Sequence, residues 1–343
     1  MSSSCWNLSA WTFPLLVILT LFVHSAVMCE CLVERHHKSI HITPASREEL
    51  HPPLILLGGI AQTKTSWDHH ILSLARNRRV LVYECLGQGD HTIPNNADVD
   101  ASLQAQARKL LDTLKKVMID EENKKEPVLV DIAGFSFGGR VAMAATCLQK
   151  DCCDNDNGVR IRRLHLTGVG RDRSDFGHLV MQSFPDLIRS DRSLRSFAWS
   201  ILLATYSSGY LRSLPEKTLE RFLDHISSSN KPEGLLAIIE QAEVSDMEDP
   251  WHVVNMASCL MEKSQSKSNP NKTIGQLCVG EFDKMAPVGE VERLSKNKDW
   301  IVPKIDVLSD CGHAVVLEKP RAWRESVLSF LDDHDANHEI KLS

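Results

Sequence analysis

The sequence predicts an α/β protein: a mostly parallel central sheet flanked by helices, with a helical segment inserted late in the sheet. Three observations carry this. Short apolar, β-rich runs recur at 53–57, 80–83, 128–133, 163–167 and 275–279 without alternating polar residues, the pattern of strands covered on both faces. Segments of helical period separate the early runs, as parallel crossovers require. Between 171 and 268 no strand-like run appears and helical periodicity takes over, which reads as an insertion in one large domain of 343 residues.

In chain order, residues 11–23 (WTFPLLVILTLFV) form a charge-free, mostly apolar run followed by the small residues Ser25 and Ala26. The run has the length of a signal-peptide core and falls short of the ~20 residues of a bilayer span. No Lys or Arg precedes it. Residues 1–29 are therefore expected to be a cleaved secretory signal, a signal-anchor, or the first half of a plastid-type bipartite leader. Each places the protein on or across a membrane, and membrane association is expected to run through this segment. Asn271-Lys272-Thr273 is a glycosylation sequon, which suits that route. Residues 32–50 are polar and His-rich, with a short strand expected at 40–42. His36, His37 and His41 have no second ligand cluster beside them, so no metal is expected.

The alternation then begins. A strand at 53–57 ends in Gly58-Gly59, and a helix is expected over 67–75. The strand at 80–83 closes in Glu84-Cys85-Leu86-Gly87-Gln88-Gly89, and 101–118 carries apolar residues at helical spacing. The loop 123–127 leads to the strand 128–133, which enters Gly134-Phe135-Ser136-Phe137-Gly138-Gly139, and a helix follows over 139–146. The strand 163–167 exits in Gly168-Val169-Gly170. Helices are expected at 197–206, 219–226, 235–243 and 251–261, then a polar return at 264–272. A strand at 275–279 leads into Gly280-Glu281-Phe282-Asp283-Lys284-Met285-Ala286-Pro287, a helix spans 288–294, and a last strand spans 300–308. Cys311-Gly312-His313 follows it, a closing helix covers 321–331, and 336–343 is a polar tail. The expected organisation is thus a core of 30–170 and 269–335, with 171–268 as the inserted cap.

Composition narrows the function. A net charge of −6 gives no footprint for nucleic acid. Gly87-Gln88-Gly89 lacks the third glycine of a dinucleotide loop. The ten cysteines show no two-pair zinc spacing, and Cys85, Cys147 and Cys278 sit in apolar runs as small core residues. No cofactor and no metal are expected.

Chemistry points to one constellation. In G-x-S-x-G the flanking glycines let the chain turn sharply from strand to helix, so the Ser136 hydroxyl stands clear of the sheet edge. A serine hydroxyl becomes a useful nucleophile when an imidazole takes its proton and a carboxylate holds that imidazole's tautomer. His313 and Asp283 each follow a sheet strand, and in a parallel sheet the loops after strands emerge at one end. Asp172 or Asp175, after the preceding strand, is the alternative acid. Cys311 reads as loop packing. His178, His225 and His252 read as surface or packing residues, and Phe184, Trp199 and Tyr206 as core aromatics that also have the option of lining a pocket.

Gly58-Gly59, Trp67, Glu84 to Gly89, G-F-S-F-G-G, G-E-F-D-K-M-A-P and C-G-H, in this order, resemble the α/β-hydrolase superfamily over about 54–331. The resemblance implies an α/β-hydrolase fold with Ser136 as nucleophile, His313 as general base and acid, and Asp283 as the orienting acid. It implies an oxyanion hole from the backbone N–H groups of Ile60 and Phe137, a helical cap over the serine, and substrate contacts at Gly59, Trp67 and Arg140. The expected activity is hydrolysis of a small-molecule carboxylic ester or related acyl substrate. Two features depart from the family pattern: Gly58-Gly59 stands where His-Gly is usual, and Glu84 and His91 stand where Asp and Ser are usual. Ser-Phe-Gly-Gly-Arg140 also resembles the elbow of the cofactor-free synthases that eliminate pyruvate in menaquinone and phylloquinone biosynthesis. A carbon–carbon lyase is therefore the second reading, and a non-catalytic binding protein on the same fold the third.

Overall fold

The computed structural model describes residues 40–93, 99–119, 127–149, 158–244, 246–265, 272–296, 300–301 and 304–333. The leader 1–29, His36 and His37, Asn271 of the sequon, Cys5, Cys29, Cys31, Cys152, Cys153 and the tail 336–343 lie outside the described residues. No helix among the described residues is long and apolar enough to cross a membrane, and no group of His, Cys, Asp and Glu among them is placed to hold a metal ion.

Seven strands form one sheet. They are β1 (Ile40–Thr43), β2 (Leu54–Leu57), β3 (Val80–Tyr83), β4 (Val128–Phe135), β5 (Val159–Thr167), β6 (Ile274–Gly280) and β7 (Asp306–Leu308). Their spatial order is β1-β3-β2-β4-β5-β6-β7. The edge pair β1–β3 is antiparallel and every other pair is parallel. The chain starts at the edge as β1, skips a place to β2, fills the gap between them with β3, then crosses to the other side of β2 as β4. This is the switch point at which loops part and leave a crevice at the carboxyl ends of the strands. Register sets Leu57 beside Gly134 and Phe135 beside Thr167, so the strand ends that carry the loops are level.

The sheet is buried on both faces because each strand splits its residues between them. Ile55, Leu57, Leu81, Val130, Ile132, Ile161 and Leu164 share one cluster with α2 (Leu103–Ile119), α3 (Phe137–Leu148), α9 (Val253–Gln265) and α10 (Val288–Ser295). Leu54, Leu56, Val80, Val82 and Ala133 share the other with α1 (Asp68–Leu74) and α12 (Pro320–Asp332). The non-alternating apolar runs that predicted a covered sheet reflect this double burial.

Between β5 and β6 the chain forms α4 (Asp175–Ser190), α5 (Arg195–Thr205), α6 (Ser208–Ser213), α7 (Glu216–Ser229), α8 (Pro232–Gln241) and α9. The expected insertion 171–268 divides here. Helices α4 to α8 pack with one another in two clusters that also take in Ala61, Met285 and Ala314 from the loops at the strand ends. Helix α9 turns Val253, Met256, Ala257 and Leu260 onto the sheet-side cluster, because these i, i+3, i+4 and i+7 positions make one stripe that matches α3. The expected helices do not include α4, which carries Gly177 in its first turn and Pro185 inside it. The helix forms because Ser174 caps it, accepting the Gly177 N–H at 3.0 Å. The last strand is also shorter than expected: β7 covers only Asp306–Leu308, with a lone bridge from Ile301 to Gly275. Trp67 ends a short 3₁₀ turn (Lys64–Trp67) rather than opening the helix.

Candidate active site

Ser136 sits between β4 and α3 with φ 52° and ψ −114°, a conformation that costs a side-chain-bearing residue roughly 1–3 kcal/mol and persists only where the surroundings impose it. Here they do. The Ser136 N–H donates to the Thr167 carbonyl at 2.8 Å, and the Ser136 carbonyl accepts from Gly139 at 3.0 Å and Arg140 at 3.2 Å. The tight approach also needs glycine at 138, where a Cβ would stand 2.5 Å from the Leu57 carbonyl oxygen.

His313, in the loop between β7 and α11 (Val315–Glu318), faces Ser136. The Ser136 hydroxyl lies 2.9 Å from His313 Nε2, and His313 Nδ1 lies 2.7 Å from Asp283 Oδ2. The Asp283 side chain is fully buried, and its other oxygen accepts the N–H groups of Met285 and Ala286, each at 2.8 Å. Those donors fix the carboxylate as an acceptor, so Nδ1–H donates to it and Nε2 is left to accept from the hydroxyl. The imidazole leans on Phe135, with ring centroids 5.1 Å apart, and lies over Gly168. A buried carboxylate, Glu318, ties down the same loop. It accepts from Gly312 N at 2.9 Å, Ser207 N at 3.0 Å and Ser207 Oγ at 2.6 Å, and so anchors the histidine loop to the α5–α6 junction.

The loop after β2 carries Gly59 and Ile60. Gln62 Oε1 accepts the Gly59 N–H at 2.8 Å. Ala61 has φ 66° and is gripped from both sides: Gln88 Oε1 accepts its N–H at 2.5 Å, and Asn230 Nδ2 donates to its carbonyl at 3.0 Å. Among the described residues no protein acceptor takes the N–H of Ile60 or Phe137. The Gly58-Gly59 departure is thus met by side-chain amides. The Glu84 departure is met as well: its carboxylate accepts Lys64 N at 2.8 Å and Asp90 N at 3.0 Å, and the His91 ring nitrogen Nδ1 lies 2.9 Å from the Glu84 carbonyl.

Two cavities meet at Ser136. The larger, ≈ 470 Å³, opens beneath α4, α5 and α7 and has mostly apolar walls that include Met181, Phe184, Ile201, Phe222 and Leu317; Gly59, Ile60, Ser136 and His313 form its floor. The smaller, ≈ 60 Å³, lies on the other side of Ser136 against Phe137, Arg140 and the loop Gly170–Arg173.

The structure thus brings Ser136, His313 and Asp283 into one hydrogen-bonded row and sets Gly59, Ile60 and Phe137 around it. Trp67 is not there. It is buried on the far cluster, 5.4 Å from Trp323 and 5.7 Å from His70 between ring centroids, because the 3₁₀ turn directs it under the sheet; its expected substrate contact is corrected to a packing role. Arg140 lines the smaller cavity but is also held by Glu243 at 3.3 Å and by the Val244 carbonyl at 3.2 Å. The alternative acids are engaged elsewhere: Asp172 lies 3.1 Å from His178, and Asp175 opens α4. Phe184 and Tyr206 serve both core and cavity, while Trp199 packs at the edge of the cluster around Tyr206. His225 and His252, expected as surface or packing residues, line the larger and smaller cavities respectively. Burial pushes the Cys311 thiol up to about 12, which keeps it un-ionised and suits packing. Gln62, Gln88, Asn230 and Glu318 were not singled out from the sequence; only Gln88, between two glycines of a strand-exit loop, carried any local signal.

The model of the alpha/beta hydrolase family matches residues 54–325. No curated protein sequence matches the chain significantly. Solved structures do. An alpha/beta hydrolase enzyme from a Medee basin deep-sea metagenome library is 17% identical, with 88% of this chain and 97% of that chain covered at a TM-score of 0.64. A thermophilic esterase from Thermogutta terrifontis is 19% identical, with 86% and 92% covered at 0.59. MenH from S. aureus is 17% identical, with 86% and 98% covered at 0.63. At these identities the likeness is one of fold.

Proposed function

Because the chain belongs to the alpha/beta hydrolase family, we propose that it is a serine hydrolase acting on carboxylic esters through Ser136, His313 and Asp283. The observation that carries this reading is the unbroken row from the Ser136 hydroxyl to His313 Nε2 at 2.9 Å and from Nδ1 to Asp283 at 2.7 Å.

In this mechanism Ser136 Oγ attacks the ester carbonyl while its proton passes to Nε2. Asp283, held by two backbone donors, stabilises the imidazolium without taking the proton. The Ile60 and Phe137 N–H groups receive the oxyanion, and each such donor contributes about 2.7–4 kcal/mol in comparable sites. The Nε2 proton then goes to the departing alcohol. Water attacks the acyl-enzyme by the reverse proton path and frees Ser136. The apolar walls of the larger cavity suit an aliphatic arm and disfavour a polyanionic substrate spread along it. The leader expected at 1–29 supports delivery of the enzyme to or across a membrane.

The test is Ser136→Ala against wild type on a panel of p-nitrophenyl esters. A loss in kcat of at least about 10³-fold is expected, and unchanged turnover ends the proposal.

A further inference from the structure

The two residues that flank His313 are both tied to the inserted helices. On one side the Gly312 N–H donates to Glu318 Oε1 at 2.9 Å. The same oxygen accepts the Ser207 N–H at 3.0 Å, and Oε2 accepts the Ser207 hydroxyl at 2.6 Å. On the other side the Ala314 N–H donates to the Thr205 carbonyl at 2.9 Å. The backbones also meet directly: a Cβ at Gly312 would lie 2.6 Å from both the Ser207 nitrogen and the Thr205 oxygen. Residues 205–207 are the junction between α5 and α6, and Ser207 stands 111 residues before Glu318 in the chain. From the core side the Phe282 N–H donates to the Cys311 carbonyl at 2.8 Å. The histidine loop is thus gripped between the loop that carries Asp283 and the α5–α6 junction.

Glu318 is buried, and a carboxylate is stable there only where donors converge on it. Its donors come from both segments, so its bonding is complete only while the junction and the histidine loop stay in register.

The junction is also a wall of the larger cavity. Thr205 and Tyr206 line that cavity from the junction, and Ala314 and Leu317 line it from the histidine side. Tyr206 stacks on Tyr210 with ring centroids 5.5 Å apart and leans on Phe222 at 5.9 Å. Ala314 packs in the same cluster. An apolar arm in the cavity therefore touches both sides of the seam at once, and an unfilled cavity leaves those wall atoms without packing partners.

We propose that Glu318 is a positioning residue, and that through it the α5–α6 junction sets the His313 imidazole according to whether the larger cavity is filled. This deepens the reading of Ser136 as an ester hydrolase and rests on it. Packing of the arm against Thr205, Tyr206, Ala314 and Leu317 holds the seam closed, and the closed seam holds the ring in line with Ser136 Oγ. Contacts made far from the reacting carbonyl then raise kcat and do not only lower KM.

The test is a series of p-nitrophenyl esters from acetate to octanoate. In the wild type kcat is expected to rise by about tenfold or more along the series, since each added methylene supplies packing at the seam. Ser207→Ala and Glu318→Ala are each expected to flatten that rise to within about twofold while KM still falls with arm length. The conservative variants Ser207→Thr and Glu318→Gln keep an oxygen at each place and should recover it. A merely structural defect scales kcat by one factor for every arm and leaves the rise in place. Ser207→Ala keeps the test available if Glu318→Ala does not fold. The Cε1–H signal of His313 in the NMR spectrum of the full-length protein reads the ring without turnover; it should move in Ser207→Ala and return in Ser207→Thr. A flat wild-type series, a rise unmoved in the Ala variants, or an unmoved His313 signal overturns the proposal and leaves the hydrolase reading standing. No hydrolysis of any ester, with a His313 signal that moves in Ser207→Ala and returns in Ser207→Thr, overturns the hydrolase reading and keeps Glu318 as the residue that positions the ring.

Discussion

Gly168→Ala tests whether the position of the imidazole, rather than its mere presence, sets the rate. Gly168 leaves β5 with φ 64°, and a Cβ added there would lie 2.8 Å from His313 Cε1 and 3.1 Å from Nδ1. The closer distance is about 0.6 Å short of ordinary van der Waals contact at 3.4 Å. Two effects follow. The left-handed backbone costs an L-residue about 1–2 kcal/mol, which at this chain size lowers Tm by a few degrees. The clash also displaces the ring from the row between Ser136 and Asp283. A misplacement of about 1 Å costs on the order of 10²-fold, so kcat is expected to fall between about 10-fold and 10²-fold. Steady-state kinetics on a p-nitrophenyl ester, paired with thermal melts, separates the two effects. Gly209→Ala is the control: a Cβ there meets nothing within 4 Å, and neither kcat nor Tm should fall. If Gly168→Ala lowered Tm but kept kcat within twofold of wild type, the ring would have slack and the argument from tight placement would fail.

The remaining predictions concern the same framework. In Asp283→Asn the Met285 and Ala286 N–H groups hold the amide oxygen, which turns the NH₂ toward His313 Nδ1 and imposes the wrong tautomer; kcat should drop by about 10⁴ with little change in Tm, and a loss under tenfold would count against it. Asn230→Ala removes the ties to Ala61 and Gly89 and should lower kcat about 10-fold with KM nearly constant, because the Ile60 donor loses its fixed position; an unchanged kcat refutes the clamp. Burial lowers His70 to about 3 and His165 to about 4, so both are neutral in the fold while the unfolded chain protonates below about pH 6.5. Their stabilisation is complete above that pH and drains away as pH falls toward 4, by on the order of a few kcal/mol each. Tm measured from pH 7.5 to 4.5 should decline, and a flat profile would contradict it.

The Ser136–His313–Asp283 arrangement was legible because it depends on topology. Each residue follows a strand, and parallel strands release their loops at one end, so chain order and the non-alternating apolar runs were enough to place them near one another. The insertion after β5 was legible in outline for a similar reason, since strand-like runs simply stop there. Its inner boundary was not: α9 has the same periodicity as its predecessors, and only the surface its stripe meets assigns it to the sheet. Trp67 shows the opposite case, where a residue near a functional loop was read as a contact although the local turn sends it into the core.

The sequence by itself determined the sheet, the elbow and which three side chains meet beside it, because these follow from local periodicity, glycine at tight approaches and the rule that parallel strands point one way. Tertiary structure alone decided the support of the site and the shape of the space around it. Gln62, Gln88, Asn230 and Glu318 act through hydrogen bonds that span 3 to 169 residues of chain, and the two cavities are spaces between elements. Neither a long-range contact nor a void leaves a repeating mark on the residues that create it.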